Sequence, residues 1–79
     1  MRFDPGDSVV AVIGGDGRVG TIVRIAREER IDTINEGLVE IIRTYMVSWP
    51  MAGGTHVTSE ATEANLRPAT ADEIKAASR

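Results

Sequence analysis

Branched side chains dominate this chain: it has 8 valines, 8 isoleucines and 7 threonines against only 2 leucines. Every valine, isoleucine and threonine except Thr70 and Ile74 lies between Val9 and Thr62. Side chains stiff at χ1 lose rotamer freedom in a helix and pack well on a pleated surface, so this stretch reads as strand. Turn formers punctuate it. Asp4-Pro5-Gly6-Asp7 precedes a first run over residues 8–13, which ends at Gly14-Gly15-Asp16-Gly17. A second run, residues 20–26, alternates Thr21, Val23 and Ile25 with Ile22 and Arg24, the period of a sheet. A third ends in residues 43–49. Its Val39, Ile41, Tyr45, Val47 and Trp49 share a face that only Arg43 interrupts, and Pro50 stops it because proline lacks the amide donor of a ladder.

Gly53-Gly54 turns the chain into a short fourth strand, Thr55-His56-Val57-Thr58, and Asn65-Leu66-Arg67 supplies a fifth. Beyond Pro68 the pattern changes: Thr70-Ala71-Asp72-Glu73 fits a capping box and leads into Ile74-Lys75-Ala76-Ala77, a short helix over about 70–78. Residues 27–43 allow two readings. Ile31, Ile34, Leu38, Ile41 and Tyr45 have the 3-4-3-4 spacing of one helix face. Gly37 costs such a helix about 1 kcal/mol relative to alanine, whereas Asn35-Glu36-Gly37 is a natural turn between two long strands. The hairpin is the favoured reading.

The chain has 79 residues and is expected to form one domain, 1–79. A chain this short hides only about 60% of the surface it exposes when unfolded, which favours self-association. The absence of cysteine excludes disulfides and thiolate metal sites, and a single histidine, His56, leaves zinc only an unusual carboxylate-rich set. No metal and no cofactor are expected. No apolar run approaches the roughly 18 residues that span a bilayer, and the opening residues do not resemble a signal peptide, so a cytoplasmic protein without a membrane partner is expected.

Gly15-Asp16-Gly17-Arg18-Val19-Gly20 matches G-x-G-x-x-G after an apolar run, and Glu40 lies about 20 residues further on, as in dinucleotide-binding units. Against that reading, Gly14 separates strand from motif, the required helix would be the branched run Thr21-Ile22-Val23, and the chain is too short to complete the domain. The motif is read as a glycine-rich turn between strands.

Three resemblances converge on a small barrel. Gly6-Asp7-x-Val9-Val10 with Gly14, Gly17 and Gly20-x-Ile22-x-x-Ile25 resembles the KOW motif of SH3-like barrels in the bacterial transcription factor NusG and a large-subunit ribosomal protein. That resemblance implies contact with RNA or protein. Phe3-x-x-Gly6-Asp7-x-Val9-Val10, Gly20-x-Ile22-x-x-Ile25, Tyr45-x-Val47 and Leu66-Arg67-Pro68 with Glu73-Ile74 are similar in order to the RNA-polymerase-interacting domain of CarD and the transcription-repair coupling factor. This second likeness implies a Tudor-like barrel with a long second hairpin. In length and fold the chain is also similar to the plasmid-encoded type II dihydrofolate reductases, but it has no glutamine, its only tyrosine is Tyr45, and the stretch matching their pore segment reads Thr55-His56-Val57-Thr58.

Candidate chemistry is sparse. His56 on a Thr-rich strand could serve as an acid or base, but no nucleophile stands at a defined spacing from it, and it is read as a partly exposed strand residue. Glu28, Glu29, Glu36, Glu40, Glu60 and Glu63 are read as a solvated face and loops, with Arg27 and Arg30 across from Glu40 and Arg43. Nucleic acid needs a basic patch; Arg18, Arg24 and Arg43 are the candidates, with Tyr45 and Trp49 as stacking platforms, yet 12 acidic residues outnumber 9 basic ones. Trp49, at a strand end beside Pro50 and Met51, is either a core plug or an aromatic anchor for a partner.

The sequence therefore predicts an all-β fold: a five-stranded SH3/Tudor-like barrel with a long second hairpin and a short C-terminal helix. The expected function is a non-catalytic module for protein-protein interaction, with transcription machinery if the CarD-like resemblance holds, and for homo-oligomerisation. Trp49, Tyr45, Arg43, Arg24 and Arg18 are the candidate partner-binding residues. RNA or DNA binding through the KOW-like turn, and a small-molecule or enzyme site at an oligomer pore, are the alternatives.

Overall fold

All strand pairings are antiparallel in the computed structural model, which describes residues 2–14, 17–33 and 37–77. The strands are β1 (Ser8–Ala11), β2 (Gly20–Thr33), β3 (Leu38–Pro50), β4 (His56–Thr62) and β5 (Leu66–Pro68), followed by helix α1 (Ala71–Ala77). Short 3-10 turns at Ala52–Gly54 and Glu63–Asn65 flank β4. The strand order is β4-β3-β2-β1-β5. The fold is thus mostly β, with one five-stranded antiparallel sheet and one short helix, as the branched residues dictate. Two strand lengths differ from expectation: β1 stops at Ala11, and β4 runs on to Thr62.

Phe3, Val9, Ile22, Tyr45, Val47 and Leu66 form the core cluster, and Ile25, Trp49 and Ala61 pack against it. Each of the five strands contributes to this one cluster, the edge strands β4 and β5 included, so the sheet curls around it. No ladder joins β4 to β5 among the described residues, and the sheet stays open.

Residues 20–33 and 38–50 form the long second hairpin. The 3-4-3-4 alternative gives way here, because β-branched residues on both sides of the turn prefer the pleat and Gly37 adopts φ +66°, a left-handed conformation unsuited to a helix interior. Ile34, Asn35 and Glu36 lie outside the described residues, as do Gly15 and Asp16 of the glycine motif. Gly20 of that motif opens strand β2 antiparallel to β1, so no strand-helix-strand unit exists for a dinucleotide. Irregularities in β2 between Ile22 and Arg24 and between Ile25 and Arg27 shift its register against β3. As a result Glu28, not Arg27, faces Arg43, while Arg30 faces Ile41 and Glu40 faces Ile31.

The capping box forms as the sequence predicts. The Glu73 amide donates to Thr70 Oγ1 at 3.2 Å, and the Thr70 amide donates to Glu73 Oε1 at 2.9 Å. The fold adds Arg67 of β5, whose guanidinium donates to both carboxylate oxygens of Glu73 at 2.8 and 2.9 Å. The Arg67 hydrogen bonds, with those from Thr70, lower the Glu73 carboxyl from its usual 4.5 to about 2. Because this pKa is depressed in the folded state, the attachment is at full strength above about 4.5 and is lost as pH falls through about 2. Helix α1 buries no residue, so it depends on this clamp. Amide exchange in α1 is expected to accelerate across that window while β3 amides stay protected, and Glu73→Gln should abolish the pH dependence. An α1 whose protection is flat from pH 5 to pH 2 would contradict this account.

Candidate functional site

Alternation along β3 sets Val39, Ile41, Arg43, Tyr45, Val47 and Trp49 on one face of a continuous strand. At Tyr45 and Val47 that face is fully buried, whereas at Val39 and Ile41 it is about half exposed. The change occurs where β4 ends: Thr62 faces Thr44, and beyond it residues 38–43 of β3 pair only with residues 28–33 of β2. The outer edge of β1 pairing stops even earlier, at Thr21. A two-stranded ribbon therefore projects from the sheet, and the molecule measures 50 × 22 × 21 Å.

Arg43 sits at the base of the ribbon. It donates to Glu28 Oε1 at 2.8 Å and to Glu63 Oε2 at 3.3 Å. The Tyr45 hydroxyl donates to the same Glu63 oxygen at 3.2 Å and accepts the Phe3 amide at 3.0 Å. This chain of contacts ties β2, β3, the turn after β4 and the N-terminal segment together. Hydrogen bonds to Glu28 and then Glu63 raise the Arg43 pKa, and burial, aided by the neighbouring Glu63 charge, raises that of Tyr45. Burial works against the Glu63 carboxylate, but hydrogen bonds, those from Arg43 and Tyr45 among them, outweigh it and hold its pKa below the usual range. A shallow recess lined by Ile41, Arg43, Thr62, Glu63 and Ala64 lies in the notch between ribbon and turn.

The five candidate residues do not form one patch. Tyr45 is fully buried and T-stacked on Phe3 at 5.5 Å, so its ring offers no stacking face and belongs to the core. Trp49 is half-buried, packs against that core and donates from Nε1 to Ser59 Oγ at 3.1 Å. Arg43 is engaged by two carboxylates. Arg24 faces Met46, on the opposite side of the sheet from Arg43. Arg18 lies at the other end of β3, donating to Met51 Sδ in a region that also holds Pro50 and Glu73. Dispersed in this way, the three arginines provide no continuous surface for a phosphate backbone.

His56 is exposed at the first position of β4, opposite Pro50. Among the described residues no three histidine, aspartate or glutamate side chains are grouped to hold a metal, and no helix is long and apolar enough to cross a membrane. What the sequence reasoning missed is the exposure of Ile31, Leu38, Val39 and Ile41, which are 42, 59, 53 and 51% accessible. A signal was present: apolar residues occur consecutively at 38–39 and 41–42, so whichever face is buried, the other carries aliphatic side chains. Comparison with protein-family models, curated proteins and solved structures finds no match to this chain.

Proposed function

We propose that this chain is a non-catalytic module for protein-protein recognition and self-association, built on a small SH3/Tudor-like barrel left open between β4 and β5. The observation that carries the reading is the projecting ribbon. Among the described residues no further strand pairs with either of its outer edges, and Ile31, Leu38, Val39 and Ile41 stand in water. A two-stranded hairpin is marginal on its own, and a partner that adds a strand to it supplies both the missing ladder and cover for the aliphatic groups. Ile31 and Leu38 stand on one face of the ribbon; on the other, Val39 and Ile41 stand among its charges, where Arg43 pairs with Glu28 and Arg30 with Asp32. That is the polar rim and apolar centre of a recognition surface.

The CarD-like order of motifs makes RNA polymerase the first partner to test. Immobilised chain should retain purified polymerase after nuclease treatment. Ile41→Asp should weaken retention by about tenfold or more, the effect of losing one apolar anchor. Because Ile41 is exposed, the thermal midpoint of the free protein should stay within the range of ordinary surface changes, about 0.5 kcal/mol. Retention that nuclease abolishes, or that Ile41→Asp leaves intact, would remove the ribbon from the account.

A further inference from the structure

We infer that β4 is the seam of a two-fold dimer, in which its outer edge pairs antiparallel with the same edge of a second copy and Ser59 lies on the axis. This rests on, and deepens, the self-association half of the reading above.

The two edges of the sheet differ in how they meet water. Strand β5 is three residues long and ends in Pro68, a protected edge. Strand β4 has seven residues, all exposed except the half-buried Ala61, with no proline, no lysine and no register irregularity against β3. Proline, shortness, bulges and charged side chains are the devices that keep edges from pairing, and of these β4 has only one charge, Glu60.

Its sequence, His56-Val57-Thr58-Ser59-Glu60-Ala61-Thr62, is complementary to itself. A two-fold axis through one residue opposes positions of equal parity, so outward-pointing backbone groups meet outward-pointing groups. With Ser59 on the axis all seven residues pair. Val57 meets Ala61 of the partner copy, Thr58 meets Glu60, and His56 meets Thr62; no charge faces its like. Moving the axis to Glu60 opposes two carboxylates, and moving it to Thr58 shortens the ladder to five residues. Glu60 is already held by Arg27 at 2.8 Å, which leaves the edge close to neutral. A neutral edge with Thr and Ser side chains suits an identical strand better than a strongly charged one. The pairing extends two five-stranded sheets into one of ten. It also sends the two ribbons in opposite directions, because β4 of the second copy runs antiparallel.

The absence of cysteine makes the test direct. Thr58→Cys, Ser59→Cys and Glu60→Cys are prepared singly, with Ile41→Cys on the ribbon, and each is oxidised at micromolar concentration while the unmodified chain is weighed by sedimentation equilibrium. Facing residues of an antiparallel pair lie about 4.5–5.5 Å apart at Cα, within the span of a disulfide. The expected result is a dimer mass, with Ser59→Cys cross-linking at least about fivefold faster than the others. Thr58→Glu, which sets one acid against Glu60 of the partner copy on each side of the axis, should weaken dimerisation by about fivefold or more, and Thr58→Lys should strengthen it. A dimer that cross-links fastest at another position overturns the seam and leaves self-association standing. A monomer at every concentration overturns both, while polymerase binding through the ribbon would be untouched.

Discussion

Tyr45→Phe is expected to destabilise the fold by about 2 kcal/mol, although it removes a single oxygen. The ring keeps its edge-to-face packing on Phe3, so the core is unchanged in shape. The hydroxyl, however, accepts the amide of Phe3, a residue only 3% exposed, and donates to Glu63. Its loss strands a buried N–H, which costs roughly 1–3 kcal/mol, more than the mean value of the hydrogen bond itself. For a domain of this size that corresponds to a fall in thermal midpoint of about 8–16 °C. A cycle with Glu63→Gln should show non-additivity of at least about 0.5 kcal/mol, because the two groups share one network. A change below about 0.5 kcal/mol for the single variant would mean that the hydroxyl is not what anchors the N-terminal segment.

Gly20→Ala is expected to cost a similar amount, about 1–3 kcal/mol, for a different reason. Gly20 does not occupy a left-handed conformation; what it provides is space. A Cβ there would stand 2.7 Å from Trp49 Cε3 and Val47 Cγ1 and 2.8 Å from Trp49 Cζ3. The indole is rigid and Val47 is fully buried, so the added methyl acts as overpacking. Trp49 is the chain's sole tryptophan, so its fluorescence should report the displacement alongside the thermal midpoint. In a Trp49→Leu background the penalty of Gly20→Ala should shrink without vanishing, since the two indole atoms it collides with are gone and Val47 Cγ1 remains. An equal penalty in both backgrounds would locate the strain elsewhere. The result also bears on Trp49 itself: it closes one end of the core over Gly20 while its exposed part borders β4.

The legibility of this chain follows from the range of the forces involved. The pleated stretch, the glycine turn at Gly37 and the reciprocal cap between Thr70 and Glu73 are set by residues within a few positions of one another, and all three were readable. The facing of Arg43 was not: irregularities in β2 slide the register, so that Glu28 rather than Arg27 or Arg30 comes opposite. Glu63 had no sequence signal as a partner of Arg43 and Tyr45, because it is brought there by the turn after β4, 20 and 18 residues away.

Local forces thus sufficed to make this chain mostly antiparallel strand with a capped terminal helix, and they favoured a long hairpin over a helix at residues 27–43. Stiff χ1 rotamers, positive-φ glycine and side-chain capping act through neighbours in the chain. Long-range packing places Tyr45 in the core, sets the arginines apart, and leaves Ile31, Leu38, Val39 and Ile41 exposed. Burial depends on where β4 ends against β3, and that is fixed by contacts between residues far apart in the chain.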